Sequence, residues 1–343
     1  MFKLMLTKLK SARLRKALLF VIIIVLLFYD ILIGRFAYMA NQVHPTETPT
    51  YTATLQPTPT ELPTSTPTPQ PTMQAYTDIP YLQEDGVDPN LLSLDIYKPI
   101  STGTHPVIVM IHGGSWSGGD KSTLVVAGTK SQFFTKKGYV FVSVNYRLSP
   151  AVLYPEHVED VAAALAWVFQ HISDYGGDPG ELFVMGHSAG AQLAALVVTD
   201  ARYLAIYDMK PDNLSGIILL DAAGLDIPGT MSHSLAFMYT TAFGNNPNTW
   251  KKASPVNYVA PGKGIPPFLV CYTFQVVPFT QSSQEFASKL ASAGVNVREY
   301  AAADKTHDSI NDDIGTLNDP VTEMIILFLN KTLGRAQIGP VMR

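Results

Sequence analysis

The 343-residue sequence holds a single cysteine, Cys271, so an internal disulfide framework and a multi-thiolate metal site are both excluded. Cys271 lies in an apolar run and reads as a buried structural thiol. Basic residues are sparse in the body of the chain. Residues 74–343 carry 17 Lys/Arg against 25 Asp/Glu, a net of −8. This argues against nucleic acid as a ligand, because phosphate binding draws on clustered Lys and Arg.

What is present divides into three materials. Residues 1–16 hold six Lys/Arg and no acid. The next stretch, 17–36, contains the run Leu18–Ile33, which is apolar except for Tyr29 and Asp30. A basic flank followed by an apolar run is the pattern of a signal peptide or of an uncleaved signal anchor. A signal peptidase wants small residues at the last and third-last positions, but a cut after Ala40 puts Tyr38 third and a cut after Ala37 puts Arg35 there. The expectation is therefore a transmembrane signal anchor, with secretion after cleavage as the alternative. Sixteen helical residues span roughly 24 Å, slightly less than the ~30 Å hydrocarbon layer, with Tyr29 and Asp30 at its edge. The positive-inside rule leaves residues 1–16 in the cytoplasm and exports the rest.

Residues 37–75 form the second material. Eight prolines and eleven threonines fall within His44–Met73, with Glu47 and Glu61 as the acids. Such a segment has too little apolar surface to fold and is biased to extended polyproline II, so it reads as a disordered stalk.

The third material, residues 76–335, is long enough for one large domain with a full core; residues 336–343 read as a tail. Val107–Ile111, Val140–Val144, Leu182–Met185, Gly216–Leu220, Phe268–Tyr272 and Val295–Tyr300 read as strands of a buried, mostly parallel sheet. His157–His171, Ala189–Asp200, Ser282–Ala293 and Pro320–Leu333 read as helices. Thr77–Leu82 and Leu92–Tyr97 read as an antiparallel hairpin at the sheet edge. The order implies right-handed crossovers and a three-layer α/β sandwich, whose site lies at the carboxyl ends of the strands.

Those ends carry the chemistry. Gly186-His187-Ser188-Ala189-Gly190 follows one strand and opens a helix. The bare G-x-S-x-G pattern arises by chance roughly 0.1 times in a chain of this length, so the strand-before, helix-after context is what makes Ser188 a candidate nucleophile on a strained elbow. After Val107–Ile111 comes His112-Gly113-Gly114-Ser115-Trp116. The N–H groups of Gly113 and Gly114 can approach a substrate oxygen closely and, with that of Ala189, make a candidate oxyanion hole. His112 reads as a residue that orders this loop. His307 follows the last strand and is the candidate general base. His44, His105, His157, His171 and His233 read as solvated or structural, and His187 is expected to point away from the elbow.

Together with Asn145-Tyr146-Arg147-Leu148 and Tyr175-Gly176-Gly177-Asp178-Pro179, these motifs resemble the α/β-hydrolase superfamily. The resemblance is to its carboxylesterase branch, of hormone-sensitive-lipase, kynurenine-formamidase and feruloyl-esterase type, and it covers roughly residues 76–335. It implies a serine hydrolase that forms an acyl-enzyme on Ser188, with no metal or organic cofactor. The implied substrate is a small-molecule or glycan-linked ester. Relatives place an Asp after the seventh strand, whereas Val270–Pro278 contains no carboxylate. Three readings stay open for the acid: Asp221 at the end of the sixth strand; one of Asp304, Asp308, Asp312 and Asp313 near His307; or a degenerate triad. An amidase or peptidase on the same fold, and a catalytically weak surface-binding module, are the rival functions. Asp226 reads as a turn or capping residue. Ile227–Pro261, rich in large apolar side chains, is either a lid or acyl-pocket wall, or a helix packed on the sheet edge.

Overall fold

A computed structural model describes residues 73–231 and 235–335. The chain divides into two units, Met1–Pro67 and Thr68–Arg343, and every described residue belongs to the second. The expected basic flank, signal anchor, nearly all of the stalk and the tail therefore lie outside the described residues, as does His233. Among the described residues no helix is long and apolar enough to cross a membrane.

Eight strands form one sheet: β1 (Met73–Pro80), β2 (Ser93–Pro99), β3 (His105–Ile111), β4 (Val140–Val144), β5 (Gly177–His187), β6 (Gly216–Leu220), β7 (Phe268–Tyr272) and β8 (Val297–Ala301). The helices that flank the sheet and its carboxyl edge include α1 (Ser131–Lys136), α2 (Glu156–His171), α3 (Ala189–Thr199), α4 (Ala236–Phe243), α5 (Pro247–Lys252), α6 (Val277–Ser292) and α7 (Pro320–Thr332). The strand order is β1-β2-β4-β3-β5-β6-β7-β8. β2 runs antiparallel to both β1 and β4, and all other neighbours are parallel.

Strand alternation explains why β3 to β7 read as continuous apolar runs, since both faces are covered. Val107, Val109 and Ile111 point to one side with Val184, Ile217 and Leu219, and pack against α2, α3 and α6. Ile108 and Met110 point to the other with Phe183, Met185, Ile218 and Cys271, and pack against α1 and α7. Cys271 is fully buried, and burial pushes its thiol well above its ordinary pKa.

Some boundaries move. β1 and β2 are antiparallel neighbours, but a twelve-residue connection with a 3₁₀ turn at Pro89–Leu92 joins them, and β2 is interior because β4 pairs with its other edge. The last strand starts at Val297, two residues after the expected Val295. The helix expected at Ser282 starts at Val277, where Pro278 occupies the first turn, a position that needs no backbone donor. A helical stretch, Leu124–Lys136, has no counterpart among the sequence expectations.

Candidate active site

The sheet register sets the carboxyl ends of the central strands side by side. Ile111 pairs with Gly186, His187 with Leu220, and Leu220 with Cys271. Whatever follows these residues shares one edge of the sheet.

After His187 the chain turns sharply into α3, and Ser188 sits at φ 52°, ψ −117°. A non-glycine residue in that region carries roughly 1–3 kcal/mol of strain, tolerated only where its surroundings impose it. Gly186 and Gly190 make the turn possible. A Cβ on Gly186 would lie 2.6 Å from the Gly190 carbonyl carbon, and one on Gly190 would collide with the carbonyl oxygens of Ile111 and His112. The elbow is stitched to its neighbour strand, because Ser188 N–H donates to Leu220 O at 3.0 Å and Ala223 N–H to Ser188 O at 3.1 Å.

The Ser188 hydroxyl lies 3.0 Å from His307 Nε2. On the other side of that ring, Nδ1–H donates to Asp221 Oδ2 at 2.7 Å. Asp221 follows β6, is fully buried, and adopts φ 43°. The backbone N–H of Thr273, just past β7, donates to Asp221 Oδ1 at 2.8 Å, and the Thr273 hydroxyl reaches Oδ2 at 3.1 Å. Burial pushes the Asp221 carboxyl up, but the bond from His307 and those from Thr273 outweigh it and hold the group below its ordinary value. The carboxylate is therefore ionised at neutral pH.

The other four candidate acids stand elsewhere. Asp313 pairs with Lys305 at 2.8 Å, Asp312 accepts from Asn311 Nδ2 at 2.9 Å, Asp308 precedes the short turn Ser309–Asp312, and Asp304 is exposed. Lys305 also pairs with Asp319 at 2.8 Å, which pins the loop carrying His307. Asp226 precedes the turn Ile227–Thr230, with its carboxylate against Gly229.

The His307 main chain is gripped from both sides. Its N–H donates to Gln275 Oε1 at 2.6 Å, and its carbonyl accepts from His187 Nε2 at 2.8 Å. The sequence led His187 to be expected pointing away from the elbow; its ring instead packs beside His307. Alternation along β5 places His187 on the side of Phe183 and Met185, the side on which the His307 loop crosses the sheet edge. Its ring lies 4.8 Å from that of His307. Burial, then the neighbouring His307 charge, lowers the His187 pKa to about 3, so the ring stays neutral and donates from Nε2.

The loop His112–Trp116 runs across the elbow. Gly113 packs so closely that a Cβ there would sit 2.9 Å from His187 Nδ1 and 3.1 Å from Ser188 Cβ. The N–H groups of Gly113, Gly114 and Ala189 make no turn, loop or cap hydrogen bond among the described residues. They are available to a substrate oxygen, with the Ala189 N–H at the positive end of the α3 dipole. His112 is buried, donates to the Gly113 carbonyl at 2.8 Å and stacks on Tyr146 at 4.4 Å. Trp116 is buried between Tyr239 and Phe243 of α4, at ring distances of 5.4 and 4.8 Å. The segment 227–261 thus packs on this loop through α4. Among the described residues no group of three or more His, Cys, Asp or Glu side chains is placed to hold a metal ion.

Sequence reasoning missed Thr273 and Gln275. Both are neutral residues outside any motif, and no sequence signal marks them.

A Ser–His–Asp array on a strand–turn–helix elbow of a mostly parallel eight-stranded sheet defines the α/β-hydrolase fold. The BD-FAE family model matches residues 94–214. Esterase LipQ of Mycobacterium tuberculosis is 31% identical over an alignment of 280 positions that covers 76% of this chain and 63% of LipQ. LipM of the same organism, a probable carboxylic ester hydrolase, is 31% identical over an alignment of 215 positions that covers 58% of this chain and 48% of LipM. The crystal structure of esterase B from Lactobacillus rhamnosis aligns with a TM-score of 0.63 at 22% identity, covering 77% of this chain and 86% of that one. The chain has the α/β-hydrolase fold, and its similarity lies with the carboxylesterase branch of that superfamily. It spans about half to two-thirds of the length of these curated relatives.

Proposed function

We propose that this chain is a serine hydrolase that cleaves carboxylic esters through an acyl-enzyme. The observation that carries the proposal is the line Ser188 Oγ, His307 Nε2, His307 Nδ1, Asp221 Oδ2, with spacings of 3.0 and 2.7 Å, beside three uncommitted backbone donors. In this reading His307 takes the Ser188 proton as Oγ attacks the acyl carbon. The carbonyl oxygen becomes an oxyanion held by the N–H groups of Gly113, Gly114 and Ala189. Asp221 holds the imidazole in the tautomer that leaves Nε2 free to accept, and it stabilises the imidazolium. His307 then protonates the leaving alcohol, and water attacks the acyl-enzyme by the same route in reverse. The named esterases among the relatives support ester rather than amide substrates.

The finer readings are also proposals. The substrates are small or carbohydrate-linked acyl esters, and the 227–261 segment walls the acyl side. Residues 17–36 anchor the chain, with residues 1–16 inside and the hydrolase domain on the extracytoplasmic side of the 37–75 stalk.

The test is fluorophosphonate labelling and nitrophenyl-ester hydrolysis by the full-length chain, with Ser188→Ala as control. Labelling lost in the variant supports the reading; an unlabelled, inactive native chain sinks it. For the anchor, protease added outside intact cells is expected to release the hydrolase domain. Full protection would place the domain inside.

A further inference from the structure

We infer that Gln192 is a positioning residue that sets the oxyanion hole by holding Trp116. The inference rests on the hydrolase reading above and adds a residue that no motif covers.

Gln192 lies on α3, four residues after Ser188, and is fully buried. Both ends of its amide are engaged. The Trp116 indole N–H donates to Gln192 Oε1 at 3.0 Å, and Gln192 Nε2–H donates to the Ala253 carbonyl at 2.7 Å. A glutamine amide buried among apolar side chains is unfavourable unless both ends are paired, so its presence here calls for a role. Its surroundings are otherwise apolar: Trp116 rests on Tyr239 and Phe243, and a Cβ added to Gly224 would lie 3.3 Å from Gln192 Cγ.

Trp116 ends the loop that carries two of the three oxyanion donors. That loop is held in an uncommon backbone conformation, with φ of 118° at Gly114, 54° at Ser115 and 57° at Trp116. Residues in such a region relax unless their neighbours over-determine them. The Trp116 main chain is tied through its carbonyl, which accepts Ser149 N–H at 2.8 Å. The one polar atom of its side chain is tied to Gln192.

The geometry of the tie matters. Gly113 and Gly114 approach the substrate oxygen from the β3 loop, whereas Ala189 approaches from the first turn of α3. Gln192 sits one turn along α3 and binds the end of the β3 loop, so the hydrogen bond sets the spacing between the two halves of the hole. Its second bond, to Ala253 just past α5, fixes the same amide against the 227–261 segment.

The test uses the full-length chain and a short-acyl nitrophenyl ester. Gln192→Met keeps side-chain length and removes both hydrogen bonds. Trp116→Phe keeps an aromatic ring and removes the N–H, and it serves if Gln192→Met fails to fold. Misplacing an oxyanion donor penalises the transition state more than the bound ester, so each variant is expected to lower kcat roughly 10- to 100-fold, with KM within about twofold. The double variant is expected to be no slower than the slower single, because both break the same Trp116–Gln192 bond. Native kcat in the single variants, an effect confined to KM, or fully additive losses would overturn the inference and leave the hydrolase reading standing. An inert, unlabelled native chain would overturn both.

Discussion

Thr273 donates its backbone N–H to one oxygen of Asp221 and its hydroxyl to the other, at 2.8 and 3.1 Å. The end of β7, where the sequence resemblance led an acid to be expected, here supplies two donors to an acid on the neighbouring strand. The carboxylate faces His307 from the end of β6, because β6 and β7 are adjacent and in register, Leu220 beside Cys271.

Asp221→Asn is expected to lower kcat by on the order of 10⁴, since an amide in this place favours the wrong imidazole tautomer. The fold should persist, because Thr273 can still donate to the amide oxygen. Single Asn replacements at Asp304, Asp308, Asp312 and Asp313 are expected to leave kcat within a few-fold. Initial rates on a nitrophenyl ester decide it, and a large loss at one of those four with activity retained in Asp221→Asn would move the acid there.

Thr273→Val removes one of three hydrogen bonds to a buried carboxylate. A stability loss of about 1–2 kcal/mol is expected from equilibrium unfolding at neutral pH. The sign of its pH effect follows from linkage. The folded-state pKa of Asp221 is depressed, so its contribution is present above the unfolded value of about 3.9 and is lost as pH falls through the folded value. With one donor gone, the folded pKa rises and the loss begins at a higher pH. Equilibrium unfolding followed from about pH 5 downward checks this; coincident stability–pH curves for the variant and the native chain would mean that the hydroxyl has no hold on Asp221.

His187 is neutral in the folded protein, with its pKa lowered to about 3 by burial and then by His307. The unfolded chain regains an ordinary value near 6.5, so it binds more protons between these limits. Stability is accordingly expected to fall as pH drops from about 6.5 towards 3. His187→Gln keeps a donor for the His307 carbonyl and removes the titrating ring, so Tm measured across this range should fall less steeply than in the native chain. Equal slopes would show that His187 is already accessible to protons in the folded state.

A methyl group on either glycine beside the elbow is expected to be costly, at Gly190 to the fold and at Gly113 to turnover. Gly190→Ala drives a methyl into the backbone of Ile111 and His112, where no side chain can yield, so loss of soluble folded protein is expected. In Gly113→Ala the new methyl meets the His187 ring, the His187 carbonyl oxygen and Ser188 Cβ at 2.9, 3.0 and 3.1 Å, so these groups must give by a few tenths of an ångström. That variant should fold and lose about 10²- to 10³-fold in kcat, the range seen when an oxyanion donor is removed. Near-native turnover would take Gly113 out of the hole.

The sequence by itself determined the parts written locally. Alternating strands and helices, a serine between glycines at a strand–helix junction, and a glycine pair after the third strand are all short-range patterns, because strand period, turn sterics and helix entry depend on neighbouring residues. The extra helix at Leu124–Lys136 escaped because its run Leu124-Val125-Val126 reads equally as a strand. Tertiary structure alone decided which carboxylate meets His307. Asp304 and Asp308 are within three residues of it in the chain, yet Asp221, 86 residues away, supplies the contact. Sheet order brings β6, β7 and β8 side by side, and the buried end of β6 is where a carboxylate can be shielded and still satisfied. The neutral residues that hold it there, Thr273 for the acid and Gln275 for the His307 backbone, acquire meaning only from that adjacency.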